Sequence, residues 1–342
     1  MSDPLSSAPL RFAPIMSAAL ARVSLVLAAV AALGACGGGG GGGGVSTGPG
    51  AVDVPFTAFS AIGQNQTVVL QGIAATAEGT DTRAQTADGV ASTITSATLN
   101  PINAALSTAR YTYQNGNLVA ININTPHSNV AIDARTGDQV QCAADAPGAL
   151  HLVAGGICGA WSATAETFFA DPAAAGWNYQ TFGIWAARPG ATSWQTGAIS
   201  IGAPTPAAAV PTTGLATFTG AALGLFVNAT GTPFSTSALM NAQVNFGGRS
   251  IAFSTTQTDL VNLNTGASTL NVTGLNLSGS FTYGAGANQF TGAVNTSNGQ
   301  LTGQAIGRFY GPTAEEIGGA YRLAPPGGGV SHMLGSFGGR RP

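Results

Sequence analysis

Short runs in which apolar and polar residues alternate fill the chain from residue 213 to its end. Turns containing glycine separate the runs, as at Tyr283-Gly284-Ala285-Gly286 and at Asn298-Gly299. Alternation with a period of two places the apolar side chains on one face of an extended strand, which is typical of half-buried antiparallel sheets. Roughly eight or nine such runs at close spacing predict a small up-and-down antiparallel β-barrel.

One run indicates what the barrel interior holds. Its alternate residues form a face that is nearly all small, which suits a tight interior or close packing against a large side chain; they are Leu301, Gly303, Ala305, Gly307 and Phe309. A membrane-inserted barrel needs an outward apolar band flanked by aromatic residues. The outward positions here are mainly Thr, Gln and Asn, so we expect a soluble barrel.

The N-terminal half, residues 54–204, also predicts antiparallel strands. Tyr111 and Tyr113 alternate with polar residues on one arm of "ARYTYQNGNLVAININ", and Asn115-Gly116 separates that arm from a second alternating arm. Asn-Gly between two alternating arms is a strong β-hairpin signal. A further strand is predicted in "GWNYQTFGIWAARPG", which carries the large side chains Tyr179, Phe182 and Trp185. The predicted fold class is all-β.

The two strand-rich halves are separated by a proline-rich segment. Pro204, Pro206 and Pro211 lie close together, and proline is costly inside a strand because it cannot donate to the ladder. We therefore expect a linker at residues 205–212. It would join a β domain at residues 54–204 to a barrel domain at residues 213–342.

The start of the chain resembles a bacterial lipoprotein signal peptide. Arg22 precedes an apolar run that ends at Leu33, too short to span a bilayer as a helix but suited to the hydrophobic part of a signal peptide. The small residues before Cys36 are similar to the motif at which the cysteine is lipidated. We expect residues 1–35 to be removed and Cys36 to carry the lipid. The alternative is an ordinary secretory peptide that leaves a free thiol.

Eight glycines, Gly37 to Gly44, follow this cysteine. A glycine run buries no apolar side chain and has the most backbone freedom to lose on folding. Residues 36–53 are therefore predicted to be a flexible tether between the membrane and the folded domains. A phosphate-binding loop is excluded, because no Lys-Ser/Thr pair follows the glycines and no strand precedes them.

Composition and charge narrow the function classes. Only 7% of residues are charged, lysine is absent, and the net charge is −2, so no basic surface for nucleic acid is indicated. The three histidines, His127, His151 and His332, are scattered, and no nucleophile elbow is present. Glu315 and Glu316 are adjacent and would point to opposite faces of a strand. We expect a protein that is not an enzyme, with no metal site and no resident cofactor.

Two further cysteines, Cys142 and Cys158, remain in the chain. An exported protein matures in an oxidising compartment, where an isolated pair is most simply a disulfide. The alternative is a metal or heme site that includes His151, which lies between them.

The barrel half resembles the C-terminal barrel of the transferrin-binding protein B family of bacterial surface lipoproteins. The resemblance rests on "GQAIGRFYGPTAEEIGGAYRL", on Phe337-Gly338 and on "TGLATFTGAALG". Cys36 followed by polyglycine is similar to the family anchor. Residues 54–211 look like the handle-type domains that precede such barrels. The resemblance implies a handle-like β domain followed by a small soluble eight-stranded antiparallel β-barrel.

The resemblance also implies a function. Relatives bind transferrin, hemoglobin, heme carriers or complement regulators, so we expect a lipid-anchored outer-membrane protein that captures a ligand at the cell surface. The partner would be a host protein carrying iron or heme, an outer-membrane receptor or a small solute. This chain has one handle–barrel unit where transferrin binders carry two. The alternative is a structural, adhesive or immune-evasion lipoprotein without a small-molecule ligand.

Ligand contacts are expected in the N-terminal half or at its junction with the barrel. That half carries all four tryptophans, and partly exposed aromatic residues often dominate contact energy. The alternative for each candidate is a role in the core. The candidates, for heme or for a protein, are Tyr111, Tyr113, His127, His151, Tyr179 and Trp185.

Overall fold

The structure is a computed structural model that describes residues 53–86, 89–143, 156–172 and 176–342. Cys36 and His151, and with them the predicted signal peptide and nearly all of the tether, lie outside the described residues. The described part consists of two β-sheets joined by short connections. None of its helices is long and apolar enough to cross a membrane.

The first sheet occupies the N-terminal half. Its strands are β1 (Asp53–Pro55), β2 (Gln66–Thr86), β3 (Gly89–Leu99), β4 (Asn103–Gln114), β5 (Asn117–Asn124), β6 (Asn129–Asp133), β7 (Gln139–Ala143), β8 (Ile157–Trp161), β9 (Ala165–Ala170), β10 (Gln180–Ala187) and β11 (Ser193–Gly202). The strand order is β6-β5-β4-β2-β11-β10-β9-β8-β7, and β1 and β3 also pair with β2. The sheet curls until β6 contacts β7 and β9, which encloses a core of its own.

The predicted hairpin at Asn115-Gly116 is confirmed. Strands β4 and β5 pair on either side of it, and both turn residues have positive φ angles, 52° and 77°. Two consecutive left-handed residues match the right-handed twist of the flanking strands, and Asn-Gly adopts them at little cost.

The second sheet is the barrel. Its strands are β12 (Leu215–Val227), β13 (Pro233–Asn245), β14 (Ser250–Asn262), β15 (Ser268–Thr269), β16 (Leu277–Tyr283), β17 (Gln289–Thr296), β18 (Thr302–Tyr310), β19 (Glu316–Ala324) and β20 (His332–Arg340). The first and last strands pair with each other, and β13 pairs with β14. Without the two-residue β15, eight antiparallel strands close into a ring, as predicted.

Aromatic side chains fill the ring. Six buried phenylalanines contact one another in the interior, namely Phe218, Phe253, Phe281, Phe290, Phe309 and Phe337. The small face of β18 lies against them: a Cβ at Gly307 would collide with the Phe290 ring. The interior is therefore a packed core and not a channel.

The segment predicted to be a linker, residues 205–212, is packed against the barrel. Pro204 forms an isolated bridge with Tyr310, and a 3₁₀ turn follows at Ala207–Ala209. The side chain of Val210 is buried in the barrel core. The connection thus contributes to the barrel as well as joining the two sheets.

Candidate functional site

One face of the N-terminal sheet packs on the outside of barrel strands β12, β19 and β20. We call this contact the seam. A single apolar cluster spans it, with contributions from both sides: Ile73, Ala75, Phe182, Ile184 and Ala198 from the sheet, and Ala221, Leu223, Leu225, Ala320 and Leu334 from the barrel. Strands β19 and β20 are consequently buried on both faces, by the barrel core inside and by the N-terminal sheet outside.

Glycines on the barrel exterior allow this close approach. Gly318 and Gly338 are register partners on β19 and β20. A Cβ at Gly338 would collide with the rings of Trp177 and Phe182, and one at Gly318 would collide with the Gln180 amide. Residues that belong to the family-like motif therefore build the seam.

Hydrogen bonds across the seam fix the register of the two domains. The Gln180 amide donates to the carbonyls of Ile317 (2.6 Å) and Gly339 (3.3 Å). Ser336 Oγ donates to the Gly183 carbonyl over 2.8 Å. These bonds satisfy polar groups that the contact removes from water, which a rigid interface requires.

Glu316 is a buried acidic residue that joins the two domains at one end of the seam. Its buried carboxylate accepts the backbone N–H groups of Asn178 (2.7 Å) and Tyr179 (3.2 Å). Burial disfavours the charged form more strongly than these bonds favour it, and it raises the pKa of Glu316 to about 7. The contact that Glu316 makes across the seam is therefore sensitive to pH near neutrality.

A cavity of about 70 Å³ opens at the other end of the seam. One wall is apolar, and it includes Ile94 of the N-terminal sheet with Leu225, Phe226, Phe234 and Leu263 of the barrel half. The other wall is polar and comes from the N-terminal sheet. It includes Asp81, Ser92, Glu166, Arg188 and Thr196.

The polar wall contains a buried ion pair. Asp81 Oδ2 accepts from Arg83 Nε over 2.9 Å and from Ser92 Oγ over 2.5 Å. Arg188 interacts electrostatically with this pair and with Glu166, and burial together with the neighbouring Arg83 lowers the pKa of Arg188. Two carboxylates and two guanidinium groups therefore share one small volume.

The cavity is bounded at the domain junction by two stacked rings. Trp194 of β11 and His332 of β20 both line it, and His332 Nδ1 donates to the Val330 carbonyl over 2.7 Å. Burial lowers the pKa of His332, so the imidazole is neutral at pH 7 and presents Nε2 as an acceptor.

Three of the predicted ligand contacts lie in the core of the N-terminal domain. Tyr111 and Trp185 are 2% and 0% exposed, respectively, and Tyr113 packs against the same cluster. Burial raises the pKa values of both tyrosines. A ligand could reach the Tyr111 or Trp185 ring only after the core had rearranged.

The other two described candidates are accessible but separate. His127 is exposed in the turn between β5 and β6, and Tyr179 is half-buried at the Glu316 end of the seam. The described candidates therefore do not converge on one site. Sequence reasoning did not identify Asp81 or Arg188, because Asp81 lies on β2 and Arg188 directly follows β10, with no motif spacing between them.

The disulfide predicted from composition is present. Cys142 and Cys158 are bonded, and they are opposite each other on the paired strands β7 and β8. Asp171 lies close to both sulfurs, but sulfurs joined to each other are not thiolate ligands for a metal.

The barrel half matches a known family. The sequence model described as the C-lobe and N-lobe beta barrels of Tf-binding protein B matches residues 210–341. The barrel half is thus similar to the barrels of transferrin-binding protein B. The match includes every barrel strand and the buried Val210, which confirms the resemblance indicated by the motif. No curated protein sequence matches the chain.

Three of the solved structures that the chain matches are two transferrin-binding protein B structures and a surface lipoprotein. A variant of Transferrin Binding Protein B from Haemophilus parasuis is 11% identical, with 80% of this chain and 76% of that chain covered and a TM-score of 0.39. The surface lipoprotein is 12% identical, with 80% of this chain and 99% of that chain covered and a TM-score of 0.40. Transferrin binding protein B from Neisseria meningitidis is 13% identical, with 74% and 59% covered and a TM-score of 0.38. The similarity to the family rests on the barrel sequence alone.

Proposed function

We propose that this protein is a lipid-anchored outer-membrane lipoprotein that captures a host or environmental ligand at the cell surface, with an iron- or heme-carrying protein as the leading class. The observation that supports the proposal is the match of residues 210–341 to the sequence model of the transferrin-binding protein B barrels. The signal-like segment before Cys36 and the glycine run after it supply the anchor and tether that such a role needs.

We assign capture to the N-terminal half and its junction with the barrel. The outer surfaces of β19 and β20 are covered by the N-terminal sheet, and the barrel interior is packed. Accessible aromatic candidates remain at His127 and Tyr179. Because the chain carries few charges, contact with a protein partner would depend mainly on neutral hydrogen bonds and aromatic packing.

A capture experiment tests the proposal directly. The chain beginning at residue 45, immobilised through a C-terminal tag, would be exposed to serum, and bound proteins would be identified by mass spectrometry. Purified transferrin and hemoglobin and a heme titration followed by Soret absorption would separate the classes. We expect one iron- or heme-carrying protein to be retained. The double variant His127→Ala, Tyr179→Ala should bind that protein more weakly than wild type does. Retention of none of these, with the chain folded by circular dichroism, would contradict the proposal.

Localisation is tested by the anchor residue. We expect Cys36→Ser to move the protein from the outer-membrane fraction to the soluble fraction, because no other anchor is proposed. The melting temperature of the released chain should match that of the wild type. Unmodified Cys36 in membrane-bound wild-type protein, detected by mass spectrometry, would disprove lipid anchoring.

A further inference from the structure

The disulfide lies beside a third side chain that can bind metal. One carboxylate oxygen of Asp171 and the sulfurs of Cys142 and Cys158 all lie within 4.8 Å of one another. Within the described part of the chain, no other three Cys, His, Asp or Glu side chains bring ligand atoms this close together. Two of the three atoms are joined to each other, so the group does not bind metal while the bond is intact.

The register of three neighbouring strands brings these residues together. Cys142 of β7 is opposite Cys158 of β8, which is opposite Phe169 of β9. Asp171 follows Phe169 by two positions, and its backbone N–H donates to the Gly156 carbonyl over 3.2 Å. Because side chains along extended backbone alternate with a period of two, Asp171 returns to the face of the sheet on which the two sulfurs lie.

The bond is accessible from one side. Cys142 is exposed on β7, the last strand in the order of the sheet, whereas Cys158 is 2% exposed. Thiol–disulfide exchange requires an incoming thiolate to reach one of the two sulfurs, and the Cys142 side offers that approach. A dithiol reductant that breaks the bond supplies two electrons and two protons and leaves as a disulfide. The pair then becomes two thiols beside a carboxylate.

The reduced group has the chemistry of a zinc site. Thiolate sulfur and carboxylate oxygen bind Zn²⁺ at about 2.3 Å and about 2.0–2.2 Å, which places ligand atoms around a tetrahedral ion roughly 3.3–3.8 Å apart. The sulfurs separate to such a spacing once the bond is broken, and the carboxylate is already near both. Two thiolates and one carboxylate held this close are unfavourable without a cation, and Zn²⁺ offsets two of the three negative charges.

We propose that Cys142, Cys158 and Asp171 bind one Zn²⁺ ion when the disulfide is reduced. The two thiols release their protons to water as the ion binds, and a water molecule occupies the fourth position. Reduction then exchanges a covalent link between β7 and β8 for a metal link. This inference concerns a separate site and does not depend on capture of a surface partner.

Cobalt binding to the reduced protein tests the proposal. The chain beginning at residue 45 is suitable, because Cys142 and Cys158 are its only cysteines. It would be reduced with a trialkylphosphine, which is oxidised to the phosphine oxide, and titrated without oxygen with Co²⁺, whose thiolate complexes have a charge-transfer absorption in the near ultraviolet. We expect this absorption at one ion per chain and its loss when Zn²⁺ is added.

The oxidised chain is the control, and it should give no thiolate absorption. Zn²⁺ should raise the melting temperature of the reduced chain but not of the oxidised chain, because only the reduced folded state binds the ion. A reduced chain that is folded by circular dichroism but gives no thiolate absorption would overturn the proposal.

Variants identify the third ligand. We expect Asp171→Asn to weaken Zn²⁺ binding to the reduced chain at least tenfold. Glu78→Gln is the matched control, because Glu78 is a carboxylate on β2 that lies outside the ligand group. If Asp171→Asn does not fold, X-ray absorption at the zinc edge of wild type decides, with two sulfur neighbours and oxygen neighbours expected. Unchanged affinity in folded Asp171→Asn, or four sulfur neighbours from an ion shared by two chains, would exclude this site.

Discussion

The indole of Trp194 stacks on the imidazole of His332 across the seam, with ring centroids 5.7 Å apart and ring planes 5° apart. Each ring is held by its own domain: Trp194 Nε1 donates to the Thr80 carbonyl over 3.1 Å, and His332 Nδ1 donates to Val330. Because His332 is 1% exposed, protonation would place a charge inside the junction. The pair therefore links the pH of the medium to the contact between the domains.

We expect His332→Phe to remove part of the acid sensitivity of the protein. Burial lowers the pKa of His332 below the 6.5 of an unfolded imidazole, so the unfolded state binds the proton more readily. The stability that this group contributes is present above about pH 6.5 and is lost as the pH falls through the folded pKa. Urea unfolding would give the free energy of unfolding at pH 7.5 and at pH 5.5. The difference between these two values should be smaller in the variant than in wild type. If the difference between the two pH values were the same in the variant as in wild type, the prediction would be wrong. His127→Phe, at an exposed position, is the control.

Glu316→Gln should act in the opposite pH range. The pKa of Glu316 is raised from 4.5 to about 7, so the folded state binds the proton more tightly than the unfolded state. Its contribution to stability is greatest below pH 4.5 and falls as the pH rises to about 7. The full range amounts to on the order of 3 kcal/mol.

The free energy of unfolding of the variant, measured relative to that of wild type, should therefore be higher at pH 8 than at pH 5. Denaturant midpoints at the two pH values measure the effect, and Glu315→Gln is the neighbouring control. Parallel pH profiles for wild type and Glu316→Gln would show that this carboxyl does not titrate as described.

Gly338→Ala should destabilise the seam. The added methyl group would collide with Trp177 and Phe182, and overpacking of a close contact costs about 1–3 kcal/mol. Gly247→Ala is the matched control, because the nearest atom to its Cβ would be 3.6 Å away. Chemical denaturation followed by tryptophan fluorescence would measure both. Equal stability of the two variants would show that the domains do not contact at Gly338.

Removal of the disulfide should lower stability without affecting the anchor. The bond joins residues 16 apart in the sequence, and closure of such a loop contributes about 3 kcal/mol. We expect the Cys142→Ser, Cys158→Ser double variant to melt at a lower temperature than wild type. A reducing agent should lower the melting temperature of wild type but not of the variant. Two titratable thiols in native exported protein would contradict the bond.

Local pattern was sufficient for many elements of the fold, but not for strands such as β8 and β9. Alternation predicted the barrel strands, Asn115-Gly116 predicted its hairpin, and the small face around Ala305 and Gly307 predicted close packing against a large side chain, which is Phe290. These features depend on residues within one strand or on two neighbouring strands. The side-chain period of a strand is two in any context, so such predictions do not require the rest of the chain.

The sequence by itself determined which residues share a strand face, where one tight turn lies, which cysteines pair and which family the barrel resembles. Only the tertiary structure decided what each face contacts. Gly338 could have faced water, yet it lies against Trp177, more than 160 residues earlier in the chain. Asp81 of β2, Arg188 just after β10 and Leu225 of β12 likewise meet around one cavity, although they are far apart in the sequence. Periodicity carries no information about such contacts, because they depend on how two completed sheets pack together.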